Sequence, residues 1–115
     1  MPKPFLDPFG LWTTQVRKGI LELCILNALA VRERYGYELA KALAGLPGYG
    51  VPEGTLYPLL ARLWKQGLVT IRREKSSGGP DRKYYALTPT ARAELGAMNQ
   101  YLADLISACR AYRQK

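Results

Sequence analysis

The sequence predicts an α+β fold, a small helical body that carries one two-stranded hairpin and ends in a long helix. Three observations predict it. From Thr55 the apolar residues Leu56, Leu59, Leu60 and Leu63 recur at helical spacing. Leu68, Val69 and Ile71 then open a strand, Ser76-Ser77-Gly78-Gly79-Pro80-Asp81 supplies a turn, and Tyr84, Tyr85 and Leu87 suit the returning strand. Beyond it Ala91, Leu95, Met98, Leu102, Leu105, Cys109 and Tyr112 alternate steps of four and three, a heptad seam that Ile106 widens. Helix, strand, basic tip and strand, in that order, outline a winged helix-turn-helix domain with an added long C-terminal helix.

Residues 1–14 read as a proline-rich aromatic arm, with Phe5, Leu6, Phe9, Leu11 and Trp12 too apolar for a tail left in water. The arm serves either as a lid on its own domain or as a segment that crosses to a partner subunit or borders a ligand pocket. A helix follows from about Gln15 to Arg32, apolar on most of its circumference and therefore central. Arg17 and Lys18 stand in its first turn, where the helix dipole disfavours cations and a phosphate would offset that cost. Glu33 and Arg34 turn the chain into a second helix, Tyr35 to Ala44, with Leu39, Ala40 and Leu43 as its inner stripe. Residues 45–50 form a short glycine-rich loop. The third helix starts near Val51-Pro52-Glu53, and Pro58, beyond its first turn, should bend it. Gly67 stops it. Thr88-Pro89 starts the last helix, a threonine cap with proline at the first helical position. The expected organisation is a 1–14 arm, a 15–88 winged helix-turn-helix domain that binds DNA, and an 89–115 dimerisation helix.

The chain has 115 residues, enough for one domain with a modest core. Seventeen Lys and Arg against nine Asp and Glu leave a formal charge of +8, which favours a polyanionic partner. Placement says more than the total. Arg62, Lys65, Arg72, Arg73, Lys75, Arg82 and Lys83 crowd one segment opposed only by Glu74 and Asp81. Double-stranded DNA is the partner this pattern suggests. There is no histidine, and Cys24 and Cys109 lie far apart within apolar helical patterns, so both are expected to fill core and no zinc-ligand spacing exists. No phosphate-cradling glycine motif is present, and nothing points to a catalytic centre, a metal or a cofactor. The first residues do not form a signal peptide, and Leu23 to Val31, the longest apolar stretch, is too short for a membrane span. A reducing cytoplasm is the expected location.

Four segments in sequence carry a resemblance. Tyr35-Gly36-Tyr37-Glu38-Leu39, Gly54-Thr55-Leu56-Tyr57-Pro58-Leu59-Leu60 with Arg62 and Leu63, Gly67-Leu68, and Gly79-Pro80-Asp81-Arg82-Lys83-Tyr84-Tyr85-Ala86-Leu87-Thr88 resemble the PadR family of bacterial transcriptional regulators. The single terminal helix resembles the smaller branch of that family. The resemblance implies a homodimeric repressor released from its operator by a small, often aromatic compound or another stress signal. Trp64 departs from the polar residue usual at its position. In the smaller drug-binding members an aromatic of the terminal helix lines a pore between subunits, and here that helix offers only Tyr101 and Tyr112.

Thr55, Tyr57, Pro58, Arg62 and Lys65 should face the major groove, with Thr55 and Tyr57 touching phosphate or thymine methyl groups and Arg62 as donor to guanine or phosphate. Arg72, Arg73, Lys75, Arg82 and Lys83 should meet phosphates or the minor groove from the wing, whose tip is Ser76, Ser77, Gly78 and Gly79. Dimerisation should use Ala91, Leu95, Met98, Leu102, Leu105, Ile106, Cys109 and Tyr112, so that two subunits meet a palindromic operator. An effector pocket is expected among Phe5, Phe9, Trp12, Met98, Tyr101 and Leu105, side chains that would otherwise form a packed interface. The competing class is a winged-helix protein-interaction adaptor without DNA binding, which would have no need of the clustered wing cations.

Overall fold

The computed structural model describes residues 7–47 and 50–113. Helix α1 (Pro8–Val31) begins at Pro8 and not near Gln15. The Asp7 carboxylate accepts from the backbone N–H of Phe9 at 3.2 Å and of Gly10 at 3.1 Å, and Pro8 takes the first helical position. Residues 8–14, expected as an arm, are therefore the opening turns of α1. Phe5 lies outside the described residues.

After α1 come β1 (Arg34–Tyr35), α2 (Gly36–Ala42) with a 3₁₀ turn over Leu43–Gly45, and α3 (Glu53–Lys65). The hairpin strands β2 (Val69–Glu74) and β3 (Arg82–Leu87) and helix α4 (Pro89–Tyr112) complete the chain. The second helix is shorter than its apolar pattern suggests, because its last residues tighten into the 3₁₀ turn. β1 was not expected; it adds an edge to the hairpin and makes an antiparallel sheet in the order β1-β3-β2. α3 runs on past Pro58. Lacking an N–H, Pro58 leaves the Gly54 carbonyl without its usual helical donor.

The core lies where α1, α2, α3 and the sheet meet. Ile25, Leu26 and Leu29 of α1 pack with Leu39, Leu56, Leu60, Leu63 and Val69, and Tyr85, Leu87 and Ala91 close the cluster. Each large apolar side chain buried this way contributes about 1.5–3 kcal/mol. No charged or polar residue among those described is buried. Gly67 ends α3 at φ 75, a left-handed conformation that lets the chain turn sharply into β2. Gly50 adopts φ 69 with its Cα face against Ala44, and the Arg17 guanidinium donates to its carbonyl. That bond ties the middle of α1 to the segment that enters α3. Farther along α1 the Asn27 and Asn99 amides donate to each other at 2.9 Å and 2.8 Å, fastening α1 to α4.

Candidate nucleic-acid interface

Helical geometry divides α3 into faces. Leu56, Leu60 and Leu63 point inward and are buried. The opposite crest carries Gly54, Pro58, Ala61 and Lys65, all exposed. Thr55 and Arg62 form one flank, Tyr57 and Trp64 the other. Of the side chains expected at a groove, Pro58 and Lys65 are therefore central and Thr55, Tyr57 and Arg62 lateral. Gly54 and Ala61, not among the residues expected to face a groove, keep the crest low. A Cβ on Gly54 would meet nothing within 4 Å, so packing does not explain the glycine, and a closely approaching surface would. Small residues on an exposed helical face are the signal that could have found them.

Arg62 is not a free donor. Its guanidinium pairs with the Glu22 carboxylate of α1, anchoring the C-terminal half of α3 to the central helix. Tyr57, on the other flank, lies over the start of α2 and close to Tyr85 of β3. Burial pushes the Tyr85 phenol up, and the neighbouring Tyr57 phenol adds to the effect.

The hairpin register sorts the wing cations onto two faces. Val69 opposes Leu87, Ile71 opposes Tyr85 and Arg73 opposes Lys83, so this last pair extends the core-facing side beyond the core. Arg72 opposes Tyr84 and Glu74 opposes Arg82 on the outer face. That outer face is internally neutralised. Arg72 donates to Glu74 at 2.6 Å and through Nε to Glu33 at 3.2 Å, and its guanidinium lies 4.4 Å from the Tyr84 ring centre. The two carboxylates hold Arg72 more firmly protonated, and its hydrogen bonds hold the Glu33 carboxyl below the usual range. Arg82 covers the Tyr35 ring at 4.6 Å, and Tyr35 meets Tyr84 edge-on at 5.6 Å. These stacks clamp the wing root to the start of α2.

The inner face has no such compensation. Arg73 and Lys83 are cross-strand neighbours, an arrangement that repels in the free protein and suits an anion laid between them. Among the described residues neither takes part in an ion pair, and the same holds for Lys65 and Lys75. At the tip the Ser76 hydroxyl donates to the Pro80 carbonyl at 2.8 Å, and Gly78 takes φ 80. A cleft of about 430 Å³ separates the wing root from α2 and α3, bordered by Tyr57, Asp81, Arg82 and Lys83.

The other expected sites are arranged differently. Ala91 is buried in its own domain, and Leu95 and Met98 pack on its core, because the first turns of α4 lie against the body. Leu105, Ile106, Cys109 and Tyr112 are exposed along the remainder of the seam. Cys109, expected in a core, is exposed, since its stretch of α4 projects past the body; Cys24 is half-buried, and burial pushes its thiol up. The side chains grouped as an effector pocket fall in two grooves. Phe9 and Trp12 line one of about 570 Å³ with Leu46 and Pro47. Met98, Tyr101 and Leu105 line one of about 590 Å³ between α1 and α4. Val16 and Ile20 of α1 border both. Among the described residues no cluster of metal-ligating side chains occurs, and no helix is long and apolar enough to cross a membrane.

Known proteins share this arrangement. The Transcriptional regulator PadR-like family matches residues 25–97. A transcriptional regulator of Mycobacterium tuberculosis is 34% identical over 91 residues, covering 79% of this chain and 83% of that protein. The crystal structure of a PadR-like transcriptional regulator from Bacillus cereus is similar with a TM-score of 0.76 at 37% identity, over 88% of this chain and 98% of that one. That of a PadR family transcriptional regulator from Eggerthella lenta gives a TM-score of 0.84 at 29% identity, over 95% of each chain. From the four motifs, the three-stranded winged fold and these likenesses together, the chain belongs to the PadR-like family of transcriptional regulators, which are not enzymes.

Proposed function

We propose that the chain binds double-stranded DNA sequence-specifically as a homodimeric repressor, released from its operator by a small molecule or a stress signal. The uncompensated Arg73–Lys83 pair carries this reading. Two opposed cations on the face that continues past the core make an electrostatic seat for a phosphate backbone, and Lys75 at the tip extends it. The crest of Gly54, Pro58, Ala61 and Lys65 enters the major groove, with Thr55 and Tyr57 at its edges. Arg62 reaches DNA only by exchanging Glu22 for a phosphate or guanine. Residues 8–88 then form the DNA-binding unit, and the outer part of α4 pairs two subunits so that their wings address a palindrome in the cytoplasm. An effector in the grooves beside Trp12 or Tyr101 would act by favouring a spacing of the two DNA-binding units that the operator does not fit.

Selection of bound duplexes from random DNA tests the reading, followed by a screen for compounds that release the enriched site. Neutralising Arg73, Lys75 and Lys83 together should weaken selected and random duplexes alike, by about 10- to 100-fold, and lower the salt slope by roughly one unit for each phosphate no longer neutralised. A wing adaptor for proteins would enrich no sequence and show no such slope.

A further inference from the structure

Gly36 opens α2 with an ordinary backbone, since positive φ among the described residues falls on Gly50, Gly67 and Gly78. Its missing side chain answers to space, not to conformation. A Cβ built at Gly36 would stand 2.6 Å from the Tyr57 hydroxyl oxygen, 3.1 Å from Cε1 and 3.2 Å from Cζ. All three of those nearest atoms belong to one side chain. Tyr57 is thus laid across bare backbone, and the ring cannot keep that place beside a methyl group. Glycine is among the poorest helix formers, so helix stability alone would favour alanine here. Tyr57 nevertheless stays 42% exposed, and it lines the cleft together with Asp81, Arg82 and Lys83.

We infer, resting on the DNA-binding reading above, that Gly36 is a positioning residue of the interface. It seats Tyr57 so that the phenol, beside Arg82 and Lys83, donates to a backbone phosphate. The contact is to phosphate and not to a base because Tyr57 occupies the flank of α3 that faces the wing, away from the crest. Gly36 itself touches no DNA; it acts through the ring that covers it.

The test uses the full chain, with affinities for a selected and a random duplex read by fluorescence anisotropy. Gly36→Ala should weaken both by about tenfold, the scale of one charge-assisted hydrogen bond, while the thermal midpoint stays within a few degrees. Tyr57→Phe should weaken both to a similar degree. With Tyr57→Ala already present, Gly36→Ala should change affinity less than about twofold, because the ring that needed the space is gone. Wild-type affinity in Gly36→Ala overturns the inference. So does an equal cost with and without Tyr57, and a loss confined to the selected duplex overturns the phosphate role. A wild-type chain that binds neither duplex fails the DNA-binding reading itself, and that failure is visible before any variant is made.

Discussion

Arg72 and Arg73 are adjacent in sequence and opposite in circumstance. Strand alternation points Arg72 to the face where Glu33, Glu74 and Tyr84 occupy it, and Arg73 to the face where Lys83 stands opposite. A count of basic residues treats them alike; the register does not. The Arg72–Glu33 tie also has a defined pH dependence. The Glu33 carboxyl titrates lower in the folded chain than when unfolded, held down chiefly by the hydrogen bond from Arg72. Its stabilising contribution is therefore complete above the ordinary carboxylate pKa of about 4 and is lost as pH falls through the lowered folded value. Glu33→Gln should lower the thermal midpoint slightly at about pH 6, and the difference from wild type should shrink steadily as the pH is taken down through and below the ordinary carboxylate range. A gap that persists in acid would mean that Glu33 acts through packing rather than through its charge.

At the scale of elements, the passage from α3 into β2 depends on one backbone conformation. Gly67 holds φ 75, and a Cβ there would meet nothing within 4 Å. Gly67→Ala therefore adds left-handed strain without a clash, about 1–2 kcal/mol, and should lower the midpoint by roughly 4–8 °C per kcal/mol. Calorimetry checks it, and an unchanged midpoint would show that this turn relaxes freely. Gly67 is legible in the sequence, as are α3, both hairpin strands and α4, because helical spacing, strand alternation and the Thr88-Pro89 cap are local signals. The cap at Asp7-Pro8 is the same signal, obscured by the prolines and aromatics around it, and so the sequence alone starts α1 too late. β1 has two residues, too few for any periodicity, and becomes a strand only when β3 lies beside it. At the site, the basic residue types and the positions of wing and third helix can be read directly. Which cations are already paired cannot, since Glu22 and Arg62, or Glu33 and Arg72, meet only through the tertiary fold.

The whole molecule is drawn out, with principal extents of 57 × 40 × 23 Å and a radius of gyration of 16.9 Å. A compact chain of this length would have about 13 Å. The excess comes with uncovered apolar surface. Phe9 and Trp12 are 70% and 61% exposed, and Tyr101, Leu105, Ile106 and Tyr112 are 68%, 51%, 45% and 74% exposed. A surface of this kind calls for a partner, and a second copy is the one we propose. Leu102→Asp with Leu105→Asp should convert a dimer of about twice the 12.9 kDa chain mass into a folded monomer in sedimentation equilibrium. A wild-type monomer at micromolar concentration would remove both the seam and the palindrome. Much of what packs on α1 belongs to β3 and α4, so Leu21, Ile25, Leu26 and Leu29 lack those partners until the last third of the chain has been made. At about 5–20 residues per second, the interval between translating Leu29 and Ala91 is on the order of 3–12 s. For that time the most hydrophobic helix of the protein is at the mercy of whatever meets nascent chains at the ribosome.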